Sequence, residues 1–189
     1  FMKGFDVYRK LDNLIISDEW RNKIEVTYIG NVPKGFNFKN SKVKKPISGK
    51  DLGEELSNHH IYISASNNEP AGMHHIEGAL SGLPIIYKNS GALPEYCKNY
   101  GVPFNDLDFI PALKKIMLKY DFYKENLKHY PNNSIYMTNN YFNLFIRLIN
   151  NRDEIIKNRK IFRSPITFIK NVLFFFITII KYFFDKLKF

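Results

Sequence analysis

The sequence predicts an α/β fold, a doubly wound parallel sheet, and three observations carry that expectation. Short apolar runs alternate with stretches of helical periodicity. Glycine, proline and asparagine punctuate the joins between them. Hydrophobic residues make up 44% of the 189-residue chain and aromatics 16%, a globular composition with room for a real core. Strands that alternate with helices pair in parallel, because each helix carries the chain back across the sheet by a right-handed crossover.

The elements run in order along the chain. Phe5, Tyr8, Leu11 and Ile15 recur at helical spacing, with Asp6 as a candidate cap. Ile24 to Ile29 reads as a strand ending at Gly30. Pro33 to Lys50 reads as a loop, with six lysines and no acid. Asp51 and Glu54 have capping-box spacing ahead of a short helix. Ile61-Tyr62-Ile63-Ser64-Ala65 is a buried parallel strand, and Met73 to Ser81 a helix stopped by Gly82. Pro84 to Tyr87 makes another strand, and Gly91 to Tyr100 a turn or short helix. Asp108 and Pro111 open a long helix running through about Leu127, closed by Pro131.

The most informative stretch is Glu69-Pro70-Ala71-Gly72-Met73-His74-His75-Ile76-Glu77-Gly78, which joins the Ile61 strand to the next helix. A tight loop leading into a helix N-terminus presents unpaired N–H groups and the positive end of the helix dipole, which suits an anion. Gly72 has no Cβ, so the backbone there can approach a ligand closely. Carboxylates beside such a loop point to a ligand carrying phosphate and hydroxyl groups together. His59-His60 and His74-His75 invite a metal, but neighbouring residues on a helix or strand point apart, so no metal site is expected.

Glu69 and Glu77, with seven residues between them, resemble the E-x7-E signature of retaining GT-B glycosyltransferases of the large GT4-type family. The continuation Gly78-Ala79-Leu80-Ser81-Gly82-Leu83-Pro84-Ile85-Ile86 and Ser90-Gly91-Ala92-Leu93-Pro94-Glu95 resembles the same family, as do Lys3-Gly4-Phe5-Asp6 and Tyr28-Ile29-Gly30. The likeness covers roughly residues 1 to 120 in the family's order. It implies a Rossmann-like C-terminal half of the GT-B fold over residues 1–150, holding a nucleoside-diphosphate sugar, UDP- or GDP-linked. Glu69 would be the catalytic acid of the motif, bonded to hydroxyls of the donor sugar. Glu77 would take the ribose hydroxyls, Lys3 the diphosphate, the N–H groups of Ala71, Gly72 and Met73 the phosphate or sugar oxygens, and Ile47 the base. Glu95 matches an element near the sugar, or is simply an acid in a helix's first turn. No further cofactor is implied.

Two departures bear on function. A complete enzyme of this family has a second, N-terminal domain that handles the acceptor; it is absent from these 189 residues, so a donor half-site is expected. Residues 151–189, the other departure, carry nine Lys/Arg against three Asp/Glu, a net +6 of the chain's +10. Within Ile166 to Phe189 the residues Thr167, Lys170, Asn171, Thr178, Lys181, Asp185 and Lys188 fall on one stripe of an otherwise aromatic and aliphatic helix. Lys170 and Lys181 interrupt the apolar run, which favours a helix lying in a membrane surface at residues 164–189 over one that crosses it. A helix packed across the second domain is the alternative. The basic charge sits in a loop and a greasy tail, with no nucleic-acid-binding pattern, so nucleic acid is not an expected partner. One cysteine, Cys97, excludes an internal disulfide and fits a reducing compartment.

The expectation is therefore the donor half of a retaining hexosyltransferase at the cytoplasmic face of a membrane, acting on a saccharide or lipid-linked acceptor. The competing reading is a non-catalytic nucleotide-sugar-binding or membrane-docking module.

Overall fold

The computed structural model describes residues 2–105, 108–159 and 165–186. The chain folds as two compact units, Phe1–Asn133 and Ser134–Phe189; the sequence reading places its division at 150. In the first unit the order is α1 (Phe5–Leu14), β1 (Thr27–Ile29), β2 (Lys42–Lys44), α2 (Gly49–Ser57), β3 (Tyr62–Ser64), α3 (His74–Leu80), β4 (Ile85–Lys88), α4 (Leu93–Cys97), β5 (Gly101–Phe104), α5 (Phe109–Leu118) and α6 (Tyr120–Leu127).

All strand pairing is parallel, in two small sheets: β1 with β2, and β3–β4–β5. The α/β class is as expected; the strands do not themselves lay out a single doubly wound sheet. Alternation along β4 explains the layers. Ile86 enters a core with Val7 and Leu11 of α1 and Leu113 and Ile116 of α5. Its neighbours Ile85 and Tyr87 enter a second core with Ala79 of α3, Leu93 and Cys97 of α4, and Leu127. Residues at odd and even positions of a strand point to opposite faces, so helices cover the three-stranded sheet on both sides.

Several boundaries differ from the sequence reading, each for a physical reason. Gly4, not Asp6, begins α1: it is left-handed, at φ 66°, and no side chain caps the helix. The expected strand from Ile24 shrinks to Thr27–Ile29. The lysine loop contains β2, whose Lys-Val-Lys is exposed and is fixed by pairing to β1 rather than by its own pattern. Asp12 anchors that loop. Its buried carboxylate accepts from the backbone N–H groups of Lys39 (2.8 Å), Asn40 (3.1 Å) and Ser41 (2.7 Å) and from the Ser41 hydroxyl (2.6 Å). Helix α2 starts at Gly49 behind Ser48, with no side-chain cap, so Asp51 and Glu54 form no capping box. The long helix expected through Leu127 breaks at Lys119 into α5 and α6, which lets Tyr123 enter the first core and Leu127 the second.

The second unit holds α7 (Ser134–Asn150), α8 (Arg152–Asn158) and α9 (Pro165–Lys186). No residue of α7 is buried, and Ile135, Phe142, Phe145 and Ile149 are among its exposed apolar side chains. Over Pro165–Tyr182, α9 is long and apolar enough to cross a membrane by length and composition, with none of that window buried. Of the expectation for 164–189, residues 164 and 187–189, Lys188 included, lie outside the described residues, as do the side chains of 183–186, Asp185 among them.

Candidate functional site

The residues of interest gather at the carboxyl end of β3. Ser64, Ala65 and Ser66 are fully buried there, and the chain then leaves the sheet through Asn67 and Asn68. Three backbone contacts fix the path of this loop. Asn67 donates its N–H to the Met2 carbonyl at 2.7 Å, which ties the start of the chain to the loop after β3. Gly4 lies against Ala65, where a Cβ would stand 2.0 Å from the Ala65 carbonyl oxygen, so only glycine permits the approach. Ala92 donates its N–H to the Glu69 carbonyl at 2.8 Å, and Gly91, at φ +59°, leaves no room for a Cβ beside the Glu69 backbone. The Ser90 hydroxyl accepts from the Asn68 N–H at 2.9 Å. The segment before α1 and the loops after β3 and β4 thus converge on Glu69.

This convergence brings Lys3 and Glu69 together. The Lys3 ammonium donates to Glu69 Oε2 at 2.7 Å across 66 residues of sequence. The glutamate side chain is 12% exposed and the lysine 57%, so the pair sits at a surface mouth. The Lys3 bond, opposed by partial burial and helped by the Ser66 hydroxyl, holds the Glu69 carboxyl below its ordinary range. Glu69 is therefore ionised at neutral pH.

His74, which the sequence suggests only as half of a metal-tempting histidine pair, completes the cluster. Its Nε2 lies 2.9 Å from the Ser64 hydroxyl. A Cβ on Gly72 would stand 2.8 Å from His74 Cε1 and 2.9 Å from Glu69 Cδ, so this glycine is what allows imidazole and carboxylate to pack around one turn. Burial, and then the nearby Lys3 charge, lower the His74 pKa, which keeps the ring neutral at pH 7. A neutral ring on a buried strand hydroxyl would have been found by asking which side chain sits over Gly72. His75 turns the other way. It is fully buried, its ring faces Tyr96 at 5.1 Å, and among the described residues both ring nitrogens lack a hydrogen-bond partner.

The remaining predicted residues divide. Ala71 and Met73 are exposed in the loop, and among the described residues no protein acceptor takes the N–H groups of Ala71, Gly72 and Met73. Glu77 stands exposed in the first turn of α3; its charge is felt at the buried Tyr62 hydroxyl, and among the described residues its carboxylate meets no cation. Glu69 and Glu77 flank one turn without sharing a contact. Ile47 is half-buried between β2 and α2. Glu95 is exposed in the first turn of α4. Among the described residues no three His, Cys, Asp or Glu side chains gather around a point that could hold a metal.

Chemically, the cluster offers one carboxylate, one ammonium, a neutral imidazole, buried hydroxyls and free amides at a sheet edge. Such a set hydrogen-bonds a polyol and neutralises an anion side by side. A comparison with protein families and with curated proteins finds no match to this chain.

Proposed function

We propose that the chain is the donor-binding half of a retaining glycosyltransferase, a Rossmann-like C-terminal layer that takes a nucleoside-diphosphate hexose. The supporting observation is the Lys3–Glu69 ion pair. The resemblance assigned these two residues to the diphosphate and to the donor sugar, which are adjacent groups of one ligand. Their contact across a sequence separation of 66 is what such a division of labour requires.

In this reading the pair is the resting state of the site. An arriving diphosphate draws the Lys3 ammonium from the carboxylate, since phosphate oxygens offer more charge than one carboxylate. Freed from the lysine, Glu69 accepts hydrogen bonds from hydroxyls of the sugar. The amides of Ala71, Gly72 and Met73 donate to phosphate or sugar oxygens, and Glu77, one turn into α3, takes the ribose hydroxyls. As the glycosidic bond breaks, negative charge builds on the leaving diphosphate, and Lys3 with the amides stabilises it without a metal. Transfer to a saccharide or lipid-linked acceptor needs a second domain to hold that acceptor. The base contact assigned to Ile47 requires the β2–α2 segment to border the same ligand.

The second unit supports a membrane location. The exposed apolar surface of α9, flanked by Lys170 and Lys181, suits a helix in the cytoplasmic surface of an anionic bilayer. A docking module without catalysis is the second reading that this surface favours.

Calorimetric titration with UDP, GDP and their hexose conjugates tests the proposal. One family of nucleotides binds, Lys3→Met weakens the diphosphate about tenfold, and Glu69→Gln weakens the sugar conjugate more than the bare diphosphate. Absence of binding by every nucleotide, or equal affinity in both variants, overturns it.

A further inference from the structure

Lys3, Glu69 and His74 are ionisable groups that meet at the loop after β3, and the first two are paired. Lys3 donates to Glu69 Oε2 at 2.7 Å, and the glutamate side chain is only 12% exposed. The His74 ring stands half-buried in the same turn. A Cβ built on Gly72 would meet His74 Cε1 at 2.8 Å and Glu69 Cδ at 2.9 Å, so imidazole and carboxylate flank one small gap. Both ring nitrogens are bonded to that Cε1. Nε2 lies 2.9 Å from the Ser64 hydroxyl, which leaves Nδ1 as the second proton site of the ring.

Ser64 makes both protonation states of this ring tolerable. It is fully buried at the end of β3, where a polar side chain needs a partner. A hydroxyl donates to a neutral Nε2 and, after rotation, accepts from an Nε2–H. A backbone carbonyl or amide in its place would hold one state only. His75, the next residue, is fully buried, and among the described residues both of its nitrogens lack a partner. Charging His75 would meet no compensation, whereas His74 has a hydroxyl and a carboxylate beside it.

The groups that face His74 decide when it charges. Lys3, from the segment before α1, opposes a proton on the ring, and Glu69, from the loop after β3, favours one. The rings of Tyr62 on β3 and His75 on α3 lie 6.3 and 5.2 Å away, and burial keeps both uncharged at neutral pH. In the resting pair, burial and the Lys3 charge prevail, and His74 is neutral. Withdrawal of Lys3 reverses that balance. The repulsion leaves, and a largely buried carboxylate loses its cation. An imidazole accepts a proton more readily than a carboxylate does, by roughly two pH units in ordinary surroundings, so the proton goes to His74 and Glu69 stays ionised.

We propose that His74 is the positioning residue of Glu69: when an anion draws Lys3 away, His74 takes one proton from solvent at Nδ1 and holds the carboxylate as an imidazolium. That the anion is the diphosphate of a sugar donor rests on the donor-binding reading; the exchange of Lys3 for His74 does not. Glu69 then has a cationic partner in both states and keeps its orientation toward the sugar. Without the exchange it would stand unpaired, and poorly solvated, beside the phosphate charges.

Proton NMR titration of the His74 ring tests this in the unaltered chain, Lys3→Met, Glu69→Gln and the double variant. The resonance is assigned by its loss in His74→Gln, which still bonds Ser64 and cannot take the proton. Lys3 is more than half exposed, so its replacement leaves the fold intact. Lys3→Met raises the His74 midpoint by about one to two pH units, and the same substitution in the Glu69→Gln background raises it far less. An unmoved midpoint overturns the proposal. So does an equal rise in both backgrounds, which is lost repulsion alone.

Ligand binding gives a second readout. Both phosphates of a nucleotide sugar are esterified and do not titrate near neutral pH, so any proton uptake belongs to the protein. Calorimetry with UDP- and GDP-hexoses, in buffers of different ionisation enthalpy, shows uptake of a fraction of a proton near neutral pH. The bound-state midpoint lies above the free one, so affinity falls as pH rises through it, by about tenfold for each unit between the two midpoints. His74→Gln keeps the thermal midpoint of the unaltered chain and loses both the uptake and the pH slope. Binding without uptake, or equal uptake in that variant, overturns the proposal. Absence of any nucleotide binding, with the NMR shift present, removes the donor-binding reading and affirms the exchange at Glu69.

Discussion

His75 shows how one buried side chain contributes to the pH response of the domain. Burial lowers its pKa to about 4, and among the described residues no group bonds either ring nitrogen. The groups facing it are the Tyr96 ring and the His74 ring, 5.2 Å away, while the more distant Glu69 charge opposes the shift. The folded-state value lies below the unfolded one, so the unfolded chain takes up a proton first as pH falls. Stability is therefore full above about pH 6.5 and declines toward pH 4, by an order of 1–3 kcal/mol. Replacement of His75 by leucine, which has similar bulk and no polar atoms, removes the His75 share of that slope and leaves stability at neutral pH equal or higher. Urea unfolding between pH 4 and 8 measures it; an unchanged slope in the variant counts against this account. The Lys3–Glu69 pair behaves differently. With the lysine more than half exposed, its loss costs less than about 1 kcal/mol of stability, so any large effect of these substitutions on nucleotide binding is not a folding defect.

At the scale of elements, the lysine-rich segment from 33 to 50 owes its shape to Asp12. Burial alone would raise the Asp12 pKa, but the Ser41 hydroxyl and the N–H groups of Lys39, Asn40 and Ser41 outweigh that and lower it. Asp12→Ala leaves these donors without their acceptor and frees the start of β2 from α1. The expected loss is about 2–4 kcal/mol, read as a lower thermal midpoint together with faster exchange at Ser41 and Lys42; a loss near zero would refute the anchor. The sign with pH is the usual carboxylate one. A lowered folded-state pKa contributes stability above the unfolded value, lost as pH falls through the folded one. Such an anchor cannot be read from periodicity, because Asp12 sits on a helix face like any solvated acid until a distant loop closes over it. Glycines were more legible: Gly82 ends α3 at φ +77°, as its place after the helical pattern implied. Gly4 was not, because the need for it arises only against Ala65, far along the chain.

For the whole molecule, the charge imbalance concentrates in the second unit, next to two helices with exposed apolar faces. A helix lying in an anionic surface and one crossing the bilayer answer differently to charge reversal. With Lys170→Glu and Lys181→Glu together, an in-plane helix loses about tenfold or more in vesicle affinity, and 1 M salt releases the unaltered chain. A spanning helix resists salt and needs detergent. Flotation on vesicles with and without phosphatidylserine decides between them, and equal flotation of variant and unaltered chain removes the interfacial reading.

By itself the sequence determined the α/β class, the positions of α1, β3, α3 and β4, the candidacy of Lys3 and Glu69, and the basic, apolar C-terminal helix. These come from local spacing and residue type, which a short window of chain expresses in full. Tertiary structure alone decided that β2 is a strand, that the helix after Asp108 breaks at Lys119, that His74 joins the site, and that Lys3 reaches Glu69 while Glu77 stays apart in solvent. Each of these depends on packing or a partner beyond the local window, from ten residues away for Ser64 and His74 to 66 for Lys3 and Glu69, and a pairing energy of that kind leaves no trace in the periodicity of either partner.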